Sequence, residues 1–297
     1  MMKIIIKALV YLFIFIGLLL LVSFILKVWS DGKIVPFGKI DLVYTKLLGE
    51  SAQVLAITWS IIGVLLIIMT LNIQKDQFLD NQKFIEKQQF ETTFFNMLNV
   101  LHNIKLSMKK KVVTGAVVEL YEGQNFIDYA LGELADEYGK SYNLIDPDSS
   151  LGTIFTKIGL NEKIESLEQE IIRDDFNIAY MSFYKNFHSE LGHYFRYLYN
   201  LLQFTLKNRK PANDHLSYIN LVQAQLSNNE LALIFYNVLS DKGLNRGKTL
   251  YFYNLLDEYN FFENIDENSL IKRAHHVLYP KTRFKFLNID EIKTYHS

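Results

Sequence analysis

Apolar residues fill two long runs near the start of the chain, Ala8 to Leu26 and Ser51 to Gln74, and neither run contains a Lys, Arg, Asp or Glu. A hydrocarbon core about 30 Å thick needs roughly 20 helical residues at about 1.5 Å each. With no water there to satisfy backbone N–H and C=O groups, a spanning segment of this composition has to be helical. Two transmembrane helices are therefore expected, as a hairpin over residues 1–74. Lys3 and Lys7 give the first run the look of a secretory signal. It is longer than the roughly 7 to 15 residues of a signal's apolar part, and the exit Leu26-Lys27-Val28-Trp29 lacks a small-x-small cleavage site, so an uncleaved span is the expectation. Lys27 to Glu50, with Pro36 and Gly38, reads as a short external loop. Lys3, Lys7, Lys75, Lys83 and Lys87 against Lys27, Lys33, Lys39 and Lys46 bias both ends, and the domain after them, slightly toward the cytoplasm.

Beyond residue 74 the pattern turns amphipathic. Lys75 to Lys111 has no Pro or Gly, and Phe78, Ile85, Phe94, Leu98, Leu101, Ile104 and Met108 recur at helical spacing. A stalk helix is expected over 75–111, with Lys109-Lys110-Lys111 as its solvated end. Gln124 to Lys140 places Phe126, Tyr129, Ala130, Leu134 and Tyr138 on one side, and residues 141–153, around Asp146-Pro147-Asp148, form a loop. Asn161 to Lys207 is nearly continuous helical pattern with a break expected around Arg173 to Asn177. Within it, Leu191, Tyr194, Phe195, Leu198, Leu202 and Thr205 make a core stripe. Ser227 and Glu230 form a capping box, starting a helix that is apolar nearly all round from Leu231 to Leu239 except at Asn237. Another helix is expected from Lys248 to Tyr259, and the locally basic tail after Ser269 reads as a solvated surface segment. The predicted fold is all-α: two transmembrane helices, a helical stalk, and a soluble helical domain over 112–297.

Composition agrees with long helices, since the 297 residues include only 4 prolines. A formal net charge of -1 names no nucleic-acid or anionic-lipid partner. The absence of cysteine removes disulfides, thiolate metal sites and a cysteine nucleophile. No metal or cofactor is expected. His188 and His193 lie five apart, about 140° from each other around an ideal helix, which is wrong for a shared ion.

Candidate chemistry gathers in two stretches. His193 and Arg196 sit one turn apart beside the aromatic stripe, with Glu190 preceding them. They read either as a seat for an anion, a phosphate or RNA, or as boundary hydrogen bonds of the core. Gln225 and Asn237 stand out as polar positions in the second stretch, Tyr218 to Ser240.

These stretches resemble the phage abortive infection protein family, the AbiC-like membrane proteins of bacteria. The likeness is carried by His193-Tyr194-Phe195-Arg196, Leu198-Tyr199, Tyr218-Ile219, Ala224-Gln225-Leu226-Ser227, Glu230-Leu231, Phe235-Tyr236-Asn237 and Leu239-Ser240. Phe94-Phe95-Asn96-Met97-Leu98 with His102 and Asn103 upstream, and Tyr259 to Asn264 downstream, extend it to about residues 70–265. The resemblance implies a bacterial antiviral protein of the inner membrane, with the lipid bilayer, a phage-derived trigger or companion defence protein, and further copies of itself as partners. Its mechanism stays open between a non-enzymatic membrane effector and a tethered metal-free ribonuclease of the HEPN kind, with a plain membrane scaffold as a third possibility. The ribonuclease needs an Arg followed four to six residues later by His, a spacing that Arg209 and His215 meet. His193 and Arg196 are the alternative centre.

Overall fold

The computed structural model describes residues 2–30, 42–142, 150–160, 162–208, 214–241 and 250–288. The described residues are mostly helical, and they fall into two compact units, Met1–Glu86 and Lys87–Ser297.

The first unit contains α1 (Met2–Ser30) and the apolar part of α2 (Leu42–Ser107). Both helices extend into the expected external loop, whose residues 31–41 lie outside the described residues. The two helices touch where Gly17 meets α2: a Cβ on Gly17 would stand 3.0 Å from Ile62 Cδ1, and Ile62 is itself buried. Among the described residues one helix is long and apolar enough to cross a membrane, α2 from Ala52 onward, and only 6% of its apolar window is buried. Two spans were expected. In α1 the described residues include a shorter apolar stretch, Tyr11–Ser23.

The second unit begins inside α2, which continues without a break to Ser107 and buries Phe90, Phe94, Leu101 and Ile104, with Met108 buried just beyond its end. An antiparallel hairpin follows, β1 (Lys109–Thr114) paired with β2 (Val117–Glu122), in register from Lys109 opposite Glu122 to Thr114 opposite Val117. The hairpin is an exception within a mostly helical structure, as the fold class expected, and it corrects the reading of Lys109-Lys110-Lys111 as a helix end. The β-branched run Val112-Val113-Thr114 favours strand, and Gly115, at φ 63°, supplies the left-handed residue that a two-residue turn requires.

α3 (Gly123–Tyr142) buries Phe126, Ala130, Leu134 and Tyr138 as expected and runs two residues into the expected loop, α4 (Ser150–Gly159) begins inside that loop, and residues 143–149 lie outside the described residues. α5 (Ser166–Lys207) has no break at Arg173 to Asn177. No Pro or Gly interrupts it there, and Ile172, Phe176, Ala179, Tyr180 and Phe183 carry the buried stripe straight through. Every member of the stripe from Leu191 to Thr205 is buried. α6 (His215–Ala224) leads to α7 (Asn228–Leu239), buried from Glu230 to Leu239, and then to α8 (Leu250–Glu258).

The tail is the second correction. Arg273–Leu278 forms a 3₁₀ segment in which His275, His276, Val277 and Leu278 are buried. Tyr279 and Phe284 add to the same core, Tyr279 with its ring centroid 4.5 Å from that of Phe235. Asp257 holds this segment by accepting N–H bonds from Lys281 at 3.0 Å and Thr282 at 2.8 Å.

Candidate functional site

Two residues from α2 and α7, far apart in the chain, meet at the centre of the site. Glu230 stands at the third position of α7, where the helix start determines its direction. Ser227 Oγ accepts the Glu230 N–H, and Glu230 Oε2 accepts the Ser227 N–H at 2.9 Å, the reciprocal arrangement expected of the capping box. The same carboxylate, whose side chain is 1% exposed, takes two further donors. Tyr194 Oη donates to Oε1 at 2.7 Å, and Lys105 Nζ, at the last turn of α2, donates to Oε2 at 3.1 Å. Burial, and then the Glu230 charge, push the Tyr194 phenol well above its ordinary pKa, so it stays a donor. A carboxylate this deep is tolerated because a cation and a hydrogen-bonded phenol and amide surround it.

A pocket of about 200 Å³ opens beside this pair. Leu98, Asn99, Leu101, His102 and Lys105 line it from α2, Tyr194 from α5, Gln225 and Leu226 from the α6–α7 connection, and Glu230 from α7. Asn99, His102 and Lys105 follow at intervals of three, so they share a face of α2. Its walls therefore combine a cation paired with a carboxylate, a phenol, an imidazole and two amides with leucine surface.

The residues singled out in the sequence are distributed differently. His193 and Arg196 are both exposed on α5, and Arg196 Nε donates to the Gly192 carbonyl at 2.9 Å. Glu190 accepts the Ser189 hydroxyl. Asn237 is buried, and its amide donates to Tyr180 Oη at 2.6 Å, which makes it part of the core. His215 is half-buried at the start of α6 with Nε2 3.4 Å from Tyr259 Oη. Arg209 lies outside the described residues. Of the candidates, Gln225 alone lines the pocket. Lys105, Tyr194 and Glu230 were not among them, although Tyr194 and Glu230 stood in the quoted motifs as stripe and cap, and His102 stood beside them.

Residues 186–270 match the family model described as putative phage abortive infection protein. That is the family the motifs resemble. The matched segment contains Tyr194, Gln225, Ser227 and Glu230, whereas His102 and Lys105 precede it. No curated protein and no solved structure matches the chain.

Proposed function

We propose that this chain is a membrane-anchored phage abortive infection protein of the bacterial inner membrane, acting on the bilayer as a non-enzymatic effector. The match over residues 186–270 supports the antiviral role. The anchoring rests on the apolar surface of the first unit. Val54, Ile57, Val64, Ile67 and Leu71 of α2 are each more than half exposed, as are Leu12, Phe15 and Leu19 of α1. Such a surface suits lipid, not water. The hydroxyls of Thr58, Ser60 and Thr70 bond to carbonyls four residues back, at 2.8–2.9 Å, so these polar groups are satisfied within the helix as a bilayer demands. In this reading Ala8–Leu26 and Ser51–Gln74 both span, the domain after them is cytoplasmic, and copies assemble in the membrane.

The observation that carries the effector reading is the continuity of α2. One unbroken helix contains the apolar segment and also the residues Phe90 to Lys105 that are packed into the second unit. Tyr218 Oη donates to Glu91 at 2.8 Å and Lys105 pairs with Glu230, so the domain grips α2 through polar contacts that a trigger can alter. Phage protection in cells tests this. Ile67→Arg places a charge in the apolar segment at a cost of about 3 kcal/mol. It is expected to abolish both protection and the entry of a membrane-impermeant dye during infection, while His193→Ala and His215→Ala retain protection. Retained protection in Ile67→Arg, or its loss in His215→Ala with normal protein levels, would overturn the membrane reading and favour RNA cleavage.

A further inference from the structure

We propose that the Lys105–Glu230 pocket binds a mononucleotide-sized organic phosphate, with the phosphate on Lys105 and His102 and the base against Asn99, Gln225 and the leucine wall. This rests on taking that pocket as the functional site of the effector described above. The charge pair has a direction. The Lys105 side chain is 15% exposed and that of Glu230 1%, so the ammonium is the outer member and the carboxylate lies behind it. Glu230 already accepts from Tyr194, Lys105 and the Ser227 N–H, while Lys105 gives one of its three N–H donors to Glu230. The cavity thus meets a cation with donors to spare, and His102 stands one turn before it on the same face of α2. A phosphate is the group that this pair recognises most strongly.

The rest of the lining selects what the phosphate is attached to. Asn99 on α2 and Gln225 in the α6–α7 connection each present a donor and an acceptor side by side, the pairing that reads the edge of a nucleobase. Leu98, Leu101 and Leu226 offer an apolar surface for a ring face. The cavity of about 200 Å³ opens to solvent past the exposed Asn99, His102 and Gln225, so part of a mononucleotide lies inside it and the rest on its rim, and it is too small for a folded polymer.

Isothermal titration of the full-length protein in detergent, with AMP, GMP, adenosine and inorganic phosphate as probes, tests the proposal. A nucleoside monophosphate is expected to bind saturably, with adenosine and phosphate at least tenfold weaker. His102→Ala and Gln225→Ala, both at exposed positions, are each expected to weaken binding at least tenfold without moving the melting temperature of the unliganded protein. Lys105→Arg, which keeps the charge beside Glu230, is expected to retain binding where Lys105→Met loses it. Failure of both nucleotides to bind, binding unchanged in the His102 and Gln225 variants, or equal affinity for phosphate alone would overturn it. The titration is independent of phage protection: loss of protection in Ile67→Arg with no nucleotide bound sinks this proposal and leaves the membrane effector standing.

Discussion

His275 is fully buried, with Tyr236 Oη 2.9 Å from its Nδ1. That hydroxyl also accepts the Ile271 N–H at 2.8 Å, which ties the ring into the core. Burial, reinforced by the Lys272 charge, pushes the His275 pKa from 6.5 down to about 3. Between those values the unfolded chain binds a proton that the folded chain does not. The contribution to stability is whole above pH 6.5 and is lost as pH falls, by up to about 1.4 kcal/mol per pH unit. Melting curves from pH 7.5 to 5 should show a falling transition temperature, and His275→Gln should flatten the slope; an equal slope in the variant would refute the assignment. Asn237 makes a second argument at this scale. Its amide donates to Tyr180 Oη inside the core, so Asn237→Ala should lower stability by about 1 to 2 kcal/mol in chemical denaturation. Gln225→Ala, at an exposed position, should change it by less than about 0.5 kcal/mol.

Among the elements, α2 and α7 are joined by the pair on which the site depends. Because Glu230 is buried and Lys105 nearly so, removing either partner leaves an uncompensated charge, a loss of about 3 kcal/mol. A double-mutant cycle of Lys105→Met and Glu230→Gln should therefore give a coupling above about 1 kcal/mol, whereas the same cycle on the exposed Lys83–Asp80 pair should give a few tenths at most. Equal couplings would mean that the pair does not fasten α2. Elements of this molecule were readable from sequence in proportion to how local their causes are. The Ser227–Glu230 box and the stripe from Leu191 to Thr205 are written within a turn or two of chain. The hairpin was hidden because three lysines open β1 and helical periodicity runs right up to them, although Val112-Val113-Thr114-Gly115 held the signal. The buried tail escaped because a 3₁₀ segment has no extended period and its anchor, Asp257, is distant in sequence. The same distance hid the site, since Lys105 and Glu230 are 125 positions apart and Glu230 already had a sufficient local explanation as a cap.

For the molecule as a whole, the question is whether the first unit exists in a bilayer as a packed pair of helices. Among the described residues most of its apolar surface has no protein against it, and α1 meets α2 where Gly17 faces Ile62, with Thr58 and Trp59 each 3.9 Å from where a Cβ would lie. A glycine here lets two helices approach closely, as small residues do in membranes, where packing and not hydrophobicity holds helices together. The cysteine-free sequence makes this testable in cells. Gly17→Cys combined with Ile62→Cys should be joined within one chain by a short thiol crosslinker in isolated membranes. A control pairing Gly17→Cys with Ile67→Cys, on an exposed part of α2, should give at most a trace of that product. Gly17→Leu should separate the helices, because a branched side chain has no room beside Ile62, whereas Gly17→Ala asks only that the end of the Ile62 side chain move by a few tenths of an ångström. Crosslinked product confined to the soluble fraction would remove the bilayer from this account. Protection from phage that persists in Gly17→Leu would show that α2 acts without α1.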